Sequence, residues 1–337
     1  MAMNRIAAIL FALVTLVAVP AFAQLVTAEV AQTGGYSTDE SAAAAVQGRV
    51  FGDAGAGVRF IVEGAWAVRS GDETDAFGAA YPYDKRVKLI EAYAERTFQP
   101  GGSLIAVRGG RFRTPFGISS GSEHAYSGFL RAPLIRYDDY YALSNNFIEH
   151  GVSVAAGVPQ LFVEASLGAP DDVGEAERRH GLDRVVRLQG AYRSAIVGVS
   201  HIVTLPYQDP RFARGHATFT GIDARWMHHG LDVRGEWLTG RPFDGTTTTG
   251  GYVDVRLHTP ALGIVTPVFR AERLAYDADP RFAIYPYRFT AGSRVQIQPR
   301  LTAQVNVIRQ HAVPHQGPTA FDVALTYVVR FTATRSR

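Results

Sequence analysis

Residues 319–331, Thr-Ala-Phe-Asp-Val-Ala-Leu-Thr-Tyr-Val-Val-Arg-Phe, put Phe321, Val323, Leu325, Tyr327, Val329 and Phe331 at every second position, with Asp322, Thr326 and Arg330 between them. Successive side chains of an extended chain point to opposite sides, so this stretch is a strand with one oily and one wet face. Working back along the chain, the same split returns. Leu301, Ala303, Val305 and Val307 oppose Thr302, Gln304 and Asn306, and Phe289, Ala291, Val295 and Ile297 oppose Arg288, Thr290, Arg294 and Gln296. Val253, Val255 and Leu257 oppose Asp254, Arg256 and His258, and Val58, Phe60, Val62, Trp66 and Val68 oppose Arg59, Glu63 and Arg69.

About fifteen such segments can be marked, at 42–51, 58–69, 86–98, 103–113, 148–157, 160–168, 183–193, 195–204, 216–227, 231–239, 249–258, 263–275, 286–297, 301–310 and 319–331, of which 42–51 and 160–168 are weak. They run to nine to thirteen residues, the length of a tilted crossing of hydrocarbon, whereas strands of soluble proteins usually have five or six. Connections alternate between very short ones, such as Arg193-Ser194 and His228-His229-Gly230, and long polar ones, such as 169–182 and 205–215. Trp237, Tyr252, Tyr276, Tyr285 and Tyr287 lie near segment ends, where amphipathic rings would meet lipid headgroups. The pattern predicts an all-β fold, a transmembrane antiparallel β-barrel in the outer membrane. Its strand number should be even, so sixteen are expected, with fourteen as the alternative. A soluble sandwich alternates too, but without this combination of strand length and loop asymmetry.

The N-terminus carries Arg5, an uncharged apolar run from Ile6 to Val19, and Pro20-Ala21-Phe22-Ala23, which reads as a signal peptide over 1–23 followed by one domain over 24–337. Fourteen apolar residues are too few to span a bilayer as a helix. The 337 residues contain no Cys, and 34 Lys+Arg stand against 31 Asp+Glu. A formal charge of +3 is too small to indicate nucleic-acid binding. Only Lys85 and Lys88 are lysines, so the basic residues are almost all arginine.

At Gly110-Arg111-Phe112-Arg113-Thr114-Pro115-Phe116-Gly117 a strand meets a Pro-Phe-Gly break, then a long segment running to Glu149-His150-Gly151-Val152. This resembles the phosphate-selective porin O and P family, in which Gly-x-Phe-x-x-Pro-Phe precedes an inward-folded loop and a strand that opens with Gly-Val. Gly235-Glu236-Trp237, Gly240-Arg241 and Gly251-Tyr252-Val253 are similar to a hairpin of that family, and Tyr327 and Phe331 to the aromatic last strand read by the outer-membrane assembly machinery. Six residues, Thr332 to Arg337, follow Phe331, where many porins stop. The resemblance implies a homotrimer, an arginine ladder, and residues 114–147 folded into the lumen as a constriction, with Arg131 and Arg136 setting the local field. The competing reading of 114–147 is an external flap hiding the sixteenth strand.

Parity assigns Arg59, Arg187, Arg193, Arg225, Arg234, Arg256, Arg270, Arg288 and Arg294 to the wet face, where forked guanidinium donors suit phosphate or carboxylate. The same parity turns Glu63, Asp223, Asp232, Glu236, Asp254, Glu272 and Asp322 inward, and neighbours such as Asp232/Arg234 and Asp254/Arg256 could simply neutralise each other. The expected function is a porin for passive diffusion of small hydrophilic solutes, with a possible anion or phosphate preference. The alternative is a plugged barrel serving as adhesin, structural protein or lipid-modifying enzyme. No catalytic, cofactor or metal residues are predicted. Gly117-Ile118-Ser119-Ser120-Gly121 fits the nucleophile-elbow pattern, but lacks the strand-to-helix context an elbow needs. The histidines form no metal-ligand spacing.

Overall fold

The computed structural model describes residues 25–39, 41–70, 87–118, 128–136, 147–172, 182–204, 217–242, 246–277, 283–313 and 316–334. The expected signal peptide lies outside them. Sixteen antiparallel strands close into a barrel: β1 (Leu25–Ser37), β2 (Ser41–Gly55), β3 (Val58–Arg69), β4 (Lys88–Phe98), β5 (Leu104–Arg113), β6 (Phe147–Val158), β7 (Leu161–Asp172), β8 (Asp183–Tyr192), β9 (Ala195–Thr204), β10 (Ala217–His228), β11 (Leu231–Arg241), β12 (Thr247–Leu257), β13 (Val265–Asp277), β14 (Tyr287–Gln298), β15 (Leu301–His311) and β16 (Thr319–Thr334). Every strand pairs with its sequence neighbours, and β1 closes on β16 from Leu25↔Thr334 to Ser37↔Asp322. Inside this seam Thr27 faces Thr332 and Thr33 faces Thr326 at 3.3 and 3.1 Å between hydroxyls. Closure leaves no backbone edge exposed to hydrocarbon, which is what makes a sheet tolerable in a membrane.

The sixteenth strand is β1, not a strand within 114–147. Its outward positions, Val26, Ala28, Val30, Gln32, Gly34 and Tyr36, lack the bulky apolar run that marks the other strands. The two weak segments are genuine strands, β2 and β7. β16 continues past Phe331 to Thr334, because those residues pair with the start of β1.

Both ends of the barrel have their own chemistry. At the turn end, connections are short, such as His229-Gly230, where both residues adopt positive φ as a tight hairpin requires. At the loop end lie the long connections, including the one between β5 and β6, here called the inner loop. Outward faces carry Val186, Leu188, Ile222, Trp226, Trp237, Phe289, Val307, Phe321 and Leu325, all 40–54% exposed. Tyr252 and Tyr276, expected at the headgroups, point inward and are buried, since they share parity with Asp254 and Glu272.

Candidate pore lumen

The inner loop begins where the Gly110 to Gly117 motif leaves the wall. Gly110 has φ +132°, and a Cβ there would stand 2.4 Å from the Ala92 carbonyl oxygen, so only glycine lets β5 lie this close to β4. Phe112 is fully buried, and Phe116 packs beneath the far wall with Ile135, Leu134, Phe219, Leu238 and Tyr252. The Gly117 N–H donates to Ser200 Oγ on β9 at 3.2 Å. The chain reappears at Gly128, where Asn306 of β15 accepts from the Leu130 N–H and donates to the Gly128 carbonyl, both at 2.9 Å. A short 3-10 turn, Leu134–Arg136, then rests on β12 and β13, with the Leu134 N–H donating to Glu272 at 2.6 Å. The loop therefore folds inward, and it lies against β9 to β16.

Arginines anchor it there. Arg131 donates to Asp322 at 2.7 and 2.8 Å, to Asp39 at 3.1 Å, to Gln316 at 2.9 Å and to Ser37 at 3.0 Å. Arg136 donates to the Phe116 carbonyl at 2.8 Å and to Glu236. From the wall, Arg270 reaches up to the Arg131 carbonyl at 2.8 Å, with the Phe129 ring over its guanidinium at 4.1 Å, and Arg288 donates to the Ala132 carbonyl. Loop backbone that would otherwise lie unsatisfied against the wall thus finds charged donors and acceptors.

Of the other arginines expected to face the lumen, the structure places most in ion pairs across strands. Arg234 and Arg270 flank Asp254, at 3.1 and 2.5 Å; Arg225 and Arg256 flank Asp232, at 2.8 and 2.5 Å. Arg288 pairs with Glu272 and Arg187 with Asp223, at 2.7 and 2.6 Å. Arg294 is half-buried and donates to Gln296 and Thr302. Arg59 stands exposed at the turn-end mouth, in register with Asp53 and Glu95. Arg193 departs from the parity assignment: it occupies the β8–β9 turn with φ +51° and lies over the outward Tyr192 ring at 5.1 Å, because alternation ends with the strand. A free arginine ladder is thus not what these side chains build; carboxylates are interleaved with them.

Sequence reasoning placed Arg59, Glu63 and Arg69 of β3 on the wet face but missed the other charges of β1 to β7. Arg108 sits between Glu95 and Glu164, at 2.9 and 3.4 Å, and Arg113 between Glu63 and Glu91, at 3.0 and 3.7 Å. Arg49 and Arg330 share Glu29. Alternation of Val107 with Arg108 was the signal available, but it is weakened by the glycines that follow. These groups keep contact with solvent: the side chains of Arg49, Arg108 and Glu95 are 25, 23 and 18% exposed, against 3% for Arg270 and none for Asp254. Strands eight apart in a ring of sixteen face each other, so β5 opposes β13. Arg108 and Arg113 each stand between two carboxylates on one wall, whereas Asp232 and Asp254 each stand between two arginines on the other. Among the described residues no group of three or more metal-binding side chains converges.

No family model matches this sequence, and no curated protein sequence matches it. Solved structures do. OmpF of Salmonella typhi, in complex with daunomycin, superposes with a TM-score of 0.66 at 9% identity, over 91% of this chain and 98% of that one. The fold is that of the porins. OprB of Pseudomonas putida gives 0.58 at 12% identity, over 91% and 93% of the two chains. OmpT, an outer membrane protein of Vibrio cholerae, gives 0.57 at 8% identity, over 90% and 97%. At such identities the likeness concerns the fold alone, and membership of the phosphate-selective O and P family is not shown by it. What the likeness shows is the architecture, a closed sixteen-strand barrel of the porin type.

Proposed function

We propose that the protein is an outer-membrane diffusion channel for small hydrophilic solutes, with a weak ion preference in place of strict phosphate selectivity. One observation carries this reading: the described part of the inner loop is pinned to β9 to β16, which leaves the partly exposed charges of β2 to β7 to line a passage. The channel works by a fixed field and by width, without bond-making, cofactor or metal. Because arginines and carboxylates are interleaved along the exposed wall itself, neither an entering anion nor an entering cation gains much over the other. Signal-directed export, recognition of the last strand by the assembly machinery and a homotrimeric state belong to the same proposal. The trimer rests on the resemblance stated from sequence and on the trimer form described for the Vibrio cholerae protein.

Planar-bilayer recording on refolded protein tests it. Stepwise open-channel currents, with a chloride-to-potassium permeability ratio near one, are expected. Silence at all potentials would instead fit a plugged barrel, and a strongly anion-selective current would restore the phosphate reading.

A further inference from the structure

The lipid-facing surface is not uniform. Across β10 to β14 a groove of about 1150 Å³ interrupts it. Its upper rank is one row of cross-strand neighbours, Ile222, Trp237, Gly251, Arg273 and Tyr287. The next row toward the turn end is Ala224, Gly235, Val253, Ala271 and Phe289. Small residues make the floor, and Trp237 on one side and Tyr287 with Phe289 on the other make the banks. The floor is kept low by necessity at Gly251, where a Cβ would come 2.6 Å from the Trp237 indole.

Arg273 stands at the head of this groove, exposed on the outward face. Three more arginines, Arg184, Arg241 and Arg309, are also outward and exposed near the loop end. Arg184, Arg273 and Arg309 each lie eight residues from the turn-end terminus of their strands, and Arg241 lies ten. With a rise of ~3.3 Å per residue and a tilt of ~40°, eight to ten residues climb roughly 20–25 Å, so all four reach one level, the far edge of the apolar band. Among the described residues none of the four makes an ion pair or side-chain hydrogen bond. The described outward carboxylate of this neighbourhood, Asp277, accepts from the Tyr285 hydroxyl. An outward arginine is expensive at the bilayer midplane and tolerable at the headgroups, where it attracts anionic lipid.

We propose that this groove docks a phosphate-bearing lipid of the loop-side leaflet, with an acyl chain along the floor and the phosphate on Arg273. A guanidinium offers phosphate two parallel donors, and the aromatic banks suit the interfacial level. A second copy of the chain fits less well, because the exposed guanidinium of Arg273 at the head of the groove calls for an anionic group, and the described outward positions near it add no free carboxylate.

Protein refolded in non-ionic detergent is incubated with phosphatidylglycerol, or with diacylglycerol of the same chains, and lipid retention is read by native mass spectrometry. The phosphate lipid should be held about tenfold more tightly, and Arg273→Gln should abolish that difference. Ala271→Phe, which fills the floor and leaves Arg273 in place, should lower retention of both lipids. Equal retention of the two lipids by the wild type would overturn the proposal, as would wild-type retention by both variants, each shown folded by its heat-modifiable migration. Bilayer conductance recorded on the same samples separates this test from that of the channel: loss of lipid with currents intact concerns the groove alone.

Discussion

Two walls of one barrel use the same side chains to different ends. On β9 to β16 most of the ion pairs are buried, Arg225 and Arg330 apart, and those under the inner loop bind its backbone as well as each other: Glu272 holds both Arg288 and the Leu134 N–H, and Arg270 holds both Asp254 and the Arg131 carbonyl. On β3 to β7 the Arg108 and Arg113 groups face the lumen with part of their surface in solvent, Arg108 and Glu95 at 23 and 18% and Arg113 and Glu91 at 13% each. Burial makes the first set structural, since removing one partner leaves a charge without solvent. Exposure leaves the second set free to set the field that a solute meets. The difference teaches that an arginine's inward parity does not by itself make it a solute contact.

The largest effect should come from breaking this contrast at its buried side. Glu272→Ala takes the carboxylate from Arg288, a fully buried guanidinium, and the acceptor from the Leu134 N–H. It should cost about 3–5 kcal/mol, against about 0–1 kcal/mol for Glu95→Ala on the exposed wall, where Arg108 keeps Glu164 and water. Urea-dependent folding into lipid vesicles reads both. Similar losses would mean that the two walls do not differ in kind.

Second in size is the effect of releasing the loop. Arg131→Ala with Arg136→Ala removes the anchors to Asp322, Asp39 and Glu236 while leaving the barrel seams intact. Larger single-channel steps are expected, with greater current noise. Unchanged conductance would show that the loop does not narrow the passage, and an unchanged permeability ratio would remove both arginines from the filter.

How much of this was legible in the sequence follows from what alternation can and cannot encode. Strands such as β3, β14 and β16 were plain, because their outward residues are large and their inward ones charged. β1 was not, because Gln32, Gly34 and Gly35 blur its period. The inward direction of Arg234, Arg256, Arg270 and Arg288 was readable from parity. Their partners were not: pairing two residues apart on one strand, Asp232 with Arg234 or Asp254 with Arg256, was the pattern visible in one dimension. The observed pairs cross strands, Arg234–Asp254–Arg270 and Arg225–Asp232–Arg256, and depend on register, which the turns between β10 and β13 set. The path of the inner loop was available only through resemblance, since its anchors lie on strands up to 191 residues away in sequence.

Ion preference sharpens the comparison from the exposed side. Arg108→Ala leaves Glu95 and Glu164 without their shared cation, so the permeability ratio should move toward potassium; Glu95→Gln should move it toward chloride. Both shifts should be clear at 0.1 M salt, where screening acts over about 10 Å, and should fade at 1 M, where it acts over about 3 Å. A shift that survives 1 M salt would mean that these groups act by narrowing the passage and not by their field.

The smallest effect tests where the two walls meet. Arg225 belongs by position to the arginine-rich wall, yet its side chain is 39% exposed, and Asp232 retains Arg256 at 2.5 Å when it is removed. Arg225→Ala should therefore behave like a residue of the exposed wall, with a stability cost under about 1 kcal/mol and a slight move of the permeability ratio toward potassium. Arg256→Ala, one strand pair away and nearly buried on the same carboxylate, should cost more in stability and move the ratio less. If the two substitutions rank the other way, exposure is not what sorts these arginines into anchors and field, and the position of each strand around the ring must carry that distinction instead.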